Sequence, residues 1–166
     1  LTDRRILVTG PTGQVAFPVV AAYAKTAEVF ALARFQREED AARIRATGAV
    51  PVTADLADPA TLRRLPADID YVLNFAVAKS GRWQVDLRAN AEGVAELMMQ
   101  LPRAKAVVHF SSAAVYAYGG PTPRREDAPL GDNHRALFPT YSISKITAET
   151  VVRLCARRLG IPATIA

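Results

Sequence analysis

The chain has 166 residues, half of them hydrophobic and 22% charged, which allows one domain with a proper core and excludes a disordered segment. Its net charge of +5 comes mostly from arginines in scattered pairs (Arg4-Arg5, Arg63-Arg64, Arg124-Arg125, Arg157-Arg158), not from a basic tract interleaved with aromatics. A nucleic-acid partner is therefore not expected, and the arginines read as solvated surface or as contacts to a small anion. Cys155 is the single cysteine, which leaves no disulfide framework and no thiolate metal cluster.

In chain order, "RILVTG" reads as a strand, and Gln14 to Ala27 as a helix with Val15, Val19, Val20 and Tyr23 on one side. "EVFALARF" is a second strand, Glu38 to Ala46 a charged helix, "VPVTADL" a third strand and "ATLRRL" a helical turn. "YVLNFA" is a fourth strand, Leu87 to Leu101 a helix and "AVVHFSS" a fifth strand. A long polar loop leads to a helix over Tyr141 to Leu159, and "PATIA" begins a sixth strand. Strands apolar on both faces and alternating with helices call for a doubly wound parallel sheet, the Rossmann arrangement, with ligands at the carboxyl ends of the strands. No apolar run reaches membrane-spanning length, and "LTDRRILVTG" enters a strand without room for a signal peptide, so a cytoplasmic protein with no membrane contact is expected. A strand ending at Ala166 with nothing to cover it suggests a fragment of a longer chain.

"TGPTGQVA" carries the first chemical signal. After a strand, Gly10 allows a tight turn, Gly13 lets a pyrophosphate approach the backbone, and Ala16 keeps helix and sheet close. The helix N-terminus then offers N–H groups to phosphate, which places Thr12, Gln14 and Val15 with the glycines in a dinucleotide site. At the end of the second strand an acidic residue would hold unphosphorylated ribose; here stands Arg34, with Arg37 one turn on. A guanidinium welcomes a 2′-phosphate, so NADP is favoured over NAD, unless Arg34 merely stacks on adenine. Asp55-Leu56 can contact the adenine edge, and a helix-capping role for the aspartate is compatible with that.

"YSISK" puts Tyr141 and Lys145 four apart on one helix face, and Ser111 and Ser112 end the fifth strand. A tyrosine becomes a base at neutral pH when a neighbouring ammonium favours its phenolate. Lys145 supplies that charge and can hold the nicotinamide ribose, and Ser112 can steer the reacting hydroxyl or carbonyl toward Tyr141.

These stretches, with "ADLAD", "NFAVA", "NAEG", "HFSSAAVY" and "YSISKITAE" in the same order, resemble the extended short-chain dehydrogenase/reductases, specifically the NAD-dependent epimerase/dehydratase family. The resemblance implies Ser112, Tyr141 and Lys145 as the catalytic residues. It also implies Asn74, Phe75, Ala76 and Val77 lining the cofactor, Asn90 as the family's helix asparagine, and a homodimer. Ala16 stands for the usual third glycine, Asn74 for a frequent histidine, Ala117 for a glycine after "VY", and Arg34 for a frequent acidic residue. The family's small C-terminal substrate domain lies beyond this chain, so its substrate preferences do not carry over.

His109 reads as a strand-packing residue, His134 as a loop residue without a metal cluster, Trp83 as packing and Cys155 as a small core side chain. The functional expectation is an NAD(P)-dependent epimerase or dehydratase acting on a secondary alcohol, most naturally a nucleotide sugar. The alternative is an NADPH-dependent ketone or aldehyde reductase, and a third reading is a non-catalytic dinucleotide sensor.

Overall fold

The computed structural model describes residues 3–166; Leu1 and Thr2 lie outside the described residues. Among those residues six strands form one parallel sheet: β1 (Arg5–Thr9), β2 (Glu28–Ala33), β3 (Val50–Thr53), β4 (Tyr71–Asn74), β5 (Ala106–His109) and β6 (Ala163–Ile165), in spatial order β3-β2-β1-β4-β5-β6. The chain leaves β1 toward β2 and β3, then returns to lay β4 on the other side of β1. That reversal opens a crevice at the carboxyl ends of β1 and β4. In register there, Thr9 pairs with Leu32 and Asn74, and Asn74 with His109.

Both faces of the sheet are covered, as its apolar strands require. On one face Ile6, Val8, Val29 and Ala31 pack with Ala16 and Val20 of α1 (Ala16–Tyr23) and Ile44 of α2 (Glu38–Arg45). On the other, Leu7, Leu32, Val72 and Val107 meet Leu62 of α3 (Pro59–Leu62), and Val94, Leu97 and Met98 of α5 (Gly93–Gln100). Val152 of α6 (Tyr141–Leu159) completes that core, and Cys155 packs at its edge. Among the described residues, no helix is long and apolar enough to cross a membrane.

Local chemistry sets the element ends. Helix α2 carries Glu38, Glu39 and Asp40 in its first turn and Arg43 and Arg45 in its last, which suits the helix dipole. Helix α6 starts just after Pro139-Thr140 and stops at Gly160, whose left-handed φ of 68° accommodates the cap. Its bounds match those read from sequence.

Two helices differ from expectation. The first is Ala16–Tyr23, not Gln14–Ala27, because the glycine turn keeps residues 10–15 for its own closure: Gly13 N–H donates to Gly10 O (3.1 Å) and Phe17 N–H to Gly13 O (2.9 Å). Starting there, Ala16 and Val20 face the sheet, whereas Val15 is 66% exposed and Tyr23 is exposed too. The helix expected over Leu87–Leu101 begins earlier, as α4 (Trp83–Leu87), widens into a π-helical segment over Arg88–Glu92, and continues as α5. The wide turns rotate the later residues, so apolar spacing alone marks only the second half.

Past Tyr116, where glycine is replaced by Ala117, the chain folds back on itself. Ala117 N–H donates to Pro129 O (2.7 Å) and Gly131 N–H to Val115 O (2.9 Å). A Cβ at Gly131 would lie 2.9 Å from Ala117 Cα, so this close approach needs glycine there.

Candidate functional site

The crevice floor is built from backbone. Gly10 adopts φ +64°, and a Cβ there would come within 3.0 Å of Ala76 N and Cα. Only glycine lets β1 turn against the chain leaving β4. The Thr9 hydroxyl accepts from Ala76 N–H (3.0 Å) and donates to Asn74 Oδ1 (2.6 Å), locking the two strand ends together. Asn74 Nδ2 can only donate, so its 2.8 Å contact makes His109 Nδ1 the acceptor and places the ring proton on Nε2. Burial pushes His109 down to about 4, with the Lys145 charge adding to the effect. His109 is thus part of a buried polar chain beneath the floor, where the sequence suggested plain strand packing.

Above that floor lies a cavity of about 340 Å³. It gathers Gly10, Thr12, Arg34, Asp55, Leu56, Ala76, Val77 and Asn90 of the sequence-derived set. Gly13, Gln14 and Val15 are exposed and are not among the residues that line it. Asn74 is wholly buried below it, and the Phe75 ring stacks on Phe110 with centroids 3.7 Å apart. The Arg37 guanidinium is closed on Asp40 by two hydrogen bonds, Nε to Oδ2 (3.0 Å) and Nη2 to Oδ1 (2.9 Å). Arg34, exposed on the same wall, makes no ion pair among the described residues. Asp55 caps its own turn by accepting from Ala57 N–H (2.9 Å), while Asp58 caps α3.

The loop after β4 is clamped from two sides. Asn90, in the π-helical segment, accepts from Ala78 N–H (2.6 Å) and donates to Ala78 O (2.9 Å) and Ser144 Oγ (3.0 Å). Asp86, wholly buried, accepts from Ser80 N–H (2.9 Å), Ser80 Oγ (2.8 Å), Gly81 N–H (3.0 Å) and Thr140 Oγ1 (2.5 Å). Burial alone would raise its pKa; the hydrogen bonds led by that from Thr140 outweigh it and hold the carboxyl below the usual range. Gly93 lets α5 approach the same region, since a Cβ there would overlap Leu56 O.

Tyr141 opens α6. Its ring meets Phe138 and His134 edge-on, with centroids 6.0 and 6.3 Å away, and the Lys79 ammonium stands 4.6 Å from its centroid. Among the described residues the Tyr141 hydroxyl makes no hydrogen bond, and Tyr141 lines neither of the two cavities. One turn on, buried Lys145 donates from Nζ to Phe110 O (2.6 Å). Burial brings Lys145 down to about 8, Lys79 pushes the same way, and Glu149 opposes them. Ser112 caps the short 3₁₀ turn Ala113–Val115 by accepting from Ala114 N–H (3.2 Å). It lines a second cavity of about 640 Å³ with Ser111, Tyr116, Glu126, Glu149 and Arg153. There Glu149 accepts from Ser111 Oγ (2.5 Å) and Arg153 Nη2 (3.1 Å). Among the described residues, no group of three or more His, Cys, Asp or Glu is placed to hold a metal.

Sequence reasoning missed Asp86, Lys79, Thr140 and Glu149. Of these, Glu149 had a local signal, four residues after Lys145 and so one turn along the same face. Asp86 had a weaker one, a lone carboxylate between Val85 and Leu87.

The sequence model of the NAD dependent epimerase/dehydratase family matches residues 6–166. No curated protein matches the sequence. Among solved structures, a putative epimerase from Burkholderia cenocepacia is 25% identical with a TM-score of 0.81, over 98% of this chain and 52% of its own. A short-chain dehydrogenase/reductase superfamily protein from Agrobacterium tumefaciens, solved with bound NAD, is 26% identical with a TM-score of 0.78, over 98% and 48%. UDP-glucuronic acid 4-epimerase from Bacillus cereus, solved with NAD and a fluorinated UDP-sugar, shares the fold at 20% identity and a TM-score of 0.79, over 97% and 55%. The chain therefore spans about half the length of the structures it matches.

Proposed function

Since the chain belongs to the NAD-dependent epimerase/dehydratase family, we propose that it is the dinucleotide-binding half of an enzyme that oxidises a secondary alcohol, in the first instance on a nucleotide sugar. The observation that carries this reading is the cavity at the carboxyl ends of β1 and β4, lined by Gly10, Thr12, Arg34, Asp55, Ala76 and Asn90. The residues there fit a dinucleotide: Gly10, Thr12, Gly13, Gln14 and Val15 for the diphosphate, Asp55 and Leu56 for the adenine edge, Ala76, Val77 and Asn90 for the inner wall. The redox change at the alcohol carbon is what a bound nicotinamide supplies.

The chain's own residues handle the proton. The Tyr141 phenolate takes it from the substrate hydroxyl as the carbon is oxidised, and returns it when the carbonyl is reduced. In an epimerase the reduction comes on the opposite face. Ser112 donates to the reacting oxygen and holds it toward Tyr141. Lys145 engages Phe110 O with one of its three N–H bonds, and the others are free to hold ribose hydroxyls.

A second reading, an NADPH-dependent reductase of the same superfamily, is favoured by Arg34 at the crevice wall. Two measurements on the full-length protein test the pair. Tyr141→Phe abolishes turnover of nucleotide sugars if the epimerase or dehydratase reading holds; wild-type turnover in that variant overturns it. Stoichiometric NADPH consumption with a ketone, and no turnover of nucleotide sugars, selects the reductase. The resemblance's homodimer and a cytoplasmic location are carried as part of this proposal, and sedimentation of the full-length protein tests the former.

A further inference from the structure

The strand-end pair Ser111-Ser112 carries two hydroxyls, and the structure gives them different partners. Tyr141, Lys145, Glu149 and Arg153 stand four apart and so share one face of α6. Lys145 Nζ donates to Phe110 O at 2.6 Å, and one turn on Glu149 Oε1 accepts from Ser111 Oγ at 2.5 Å. Two successive turns of the helix thus hold two successive residues at the end of β5. Ser111 N–H also donates to Ala166 O at 2.6 Å, which fixes the same residue from the β6 side. Glu149 is buried, and its other oxygen accepts from Arg153 Nη2 at 3.1 Å. The carboxylate is therefore held at both oxygens, as a buried charge must be.

We propose that Glu149 is a positioning residue acting through Ser111: by accepting the hydrogen bond of that serine, it reserves the Ser112 hydroxyl as the donor to the reacting oxygen. A serine hydroxyl has one proton to donate. That of Ser111 is committed to Glu149, whereas Ser112 Oγ accepts from Ala114 N–H at 3.2 Å and keeps its own proton free. Both serines line the same cavity. Without the carboxylate, a second hydroxyl would stand there with its proton uncommitted and compete with Ser112 for the substrate oxygen. Glu149 transfers no proton itself. Arg153, half exposed on the next turn, holds the carboxylate from its other oxygen.

The inference rests on Ser112 as the hydroxyl that steers the reacting oxygen, but its first measurement is independent of that reading. In urea unfolding of the full-length protein, Ser111→Ala and Glu149→Ala should each lower the midpoint. The double variant is expected to lose clearly less than the two single losses together, because one bond is removed in both. Additive losses overturn the proposal whatever the substrate. The second measurement is turnover per bound dinucleotide, with UDP-glucose, or with NADPH and a ketone where the wild type runs that reaction instead. Glu149→Ala is expected to lower kcat about tenfold or more, with the KM for dinucleotide unchanged. Glu149→Gln keeps an acceptor oxygen for Ser111 and should stay within about threefold of wild type. In a Ser111→Ala background, Glu149→Ala should cost about twofold at most, since no second hydroxyl remains to compete. Wild-type kcat in Glu149→Ala overturns the proposal, as does Glu149→Gln falling as far as Glu149→Ala. A wild type that turns over neither substrate would remove the reading of Ser112, while the unfolding cycle still decides the bond between Glu149 and Ser111.

Discussion

Thr140 Oγ1 donates a 2.5 Å hydrogen bond to Asp86 Oδ2, joining the residue that precedes the α6 tyrosine to a helix 54 residues earlier in the chain. Asp86 is wholly buried and accepts from three further donors on Ser80 and Gly81. An amide in its place presents an NH₂ to donors on every side. Asp86→Asn is therefore expected to cost about 2–3 kcal/mol in urea unfolding, and Thr140→Val about 1–2 kcal/mol, since it leaves one acceptor site empty. The folded-state carboxyl is held below its ordinary value, so its contribution is present above the unfolded pKa and fades as the pH falls through the folded one. An Asp86→Asn variant as stable as wild type at neutral pH would refute the staple.

Gly10 and Gly13 separate folding from binding. Gly10 has φ +64° and backbone 3.0 Å from a would-be Cβ, whereas a Cβ on Gly13 meets only Gly10 O at 3.3 Å. Gly10→Ala is expected to destabilise by about 1–3 kcal/mol, the range for strained left-handed backbone. Gly13→Ala is expected to cost less stability than Gly10→Ala, since only Gly10 O must give, yet to bind dinucleotide at least about tenfold more weakly, equivalent to about 1.4 kcal/mol. Calorimetric titration beside a thermal melt checks both. Unchanged affinity in Gly13→Ala would show that phosphate does not approach that amide.

These two sites mark what a reader of the sequence can and cannot see. The glycine turn is visible because its constraint is local: strand, glycines and helix follow one another within a dozen residues. The sheet is visible for a similar reason, since strands buried on both faces must be apolar throughout. Helix α6 announces itself by its proline-threonine entry and glycine exit. The Asp86 staple and Lys79 leave almost no trace, because their partners are Thr140 and Tyr141, brought near only by the crossover from β4 to α6. The first helix misleads because its phase is set by the turn before it, not by its own valines. The π-helical segment hides the start of the fourth, since a wide turn breaks the periodicity that would reveal it.

Arg34 and Asp40 bring opposite charges to the wall of the same cavity. Arg34 is exposed on the crevice wall, and Arg37 is closed on Asp40 by two hydrogen bonds. Asp40 also raises the Arg37 pKa, chiefly through its hydrogen bond and then through its charge. Arg34→Ala is expected to weaken NADP binding by roughly tenfold or more, the loss of a charge-assisted contact, and to leave NAD binding nearly unchanged. Asp40→Asn should move the preference the other way, since it removes a carboxylate from the wall and loosens Arg37 toward a 2′-phosphate. Competition between NAD and NADP for each variant decides the matter, and equal losses for both in Arg34→Ala would assign that residue to adenine stacking.

His109 gives the protein an acid limit. Its Nδ1 accepts from Asn74, its Nε2 is buried with no hydrogen-bond partner among the described residues, and burial holds it down to about 4 against an ordinary value of 6.5. Between those two pH values the unfolded chain binds the proton that the folded chain refuses. Stability therefore rises with pH across that window and falls on acidification, by about 3 kcal/mol for a full traverse. His109→Gln keeps an acceptor for Asn74 but has no proton to gain, so its stability curve should be flatter than wild type from about pH 4 to 6.5 while converging at neutral pH. Urea midpoints measured at intervals through that range make the comparison. Parallel curves for the two proteins would mean that His109 does not set the acid sensitivity in that window.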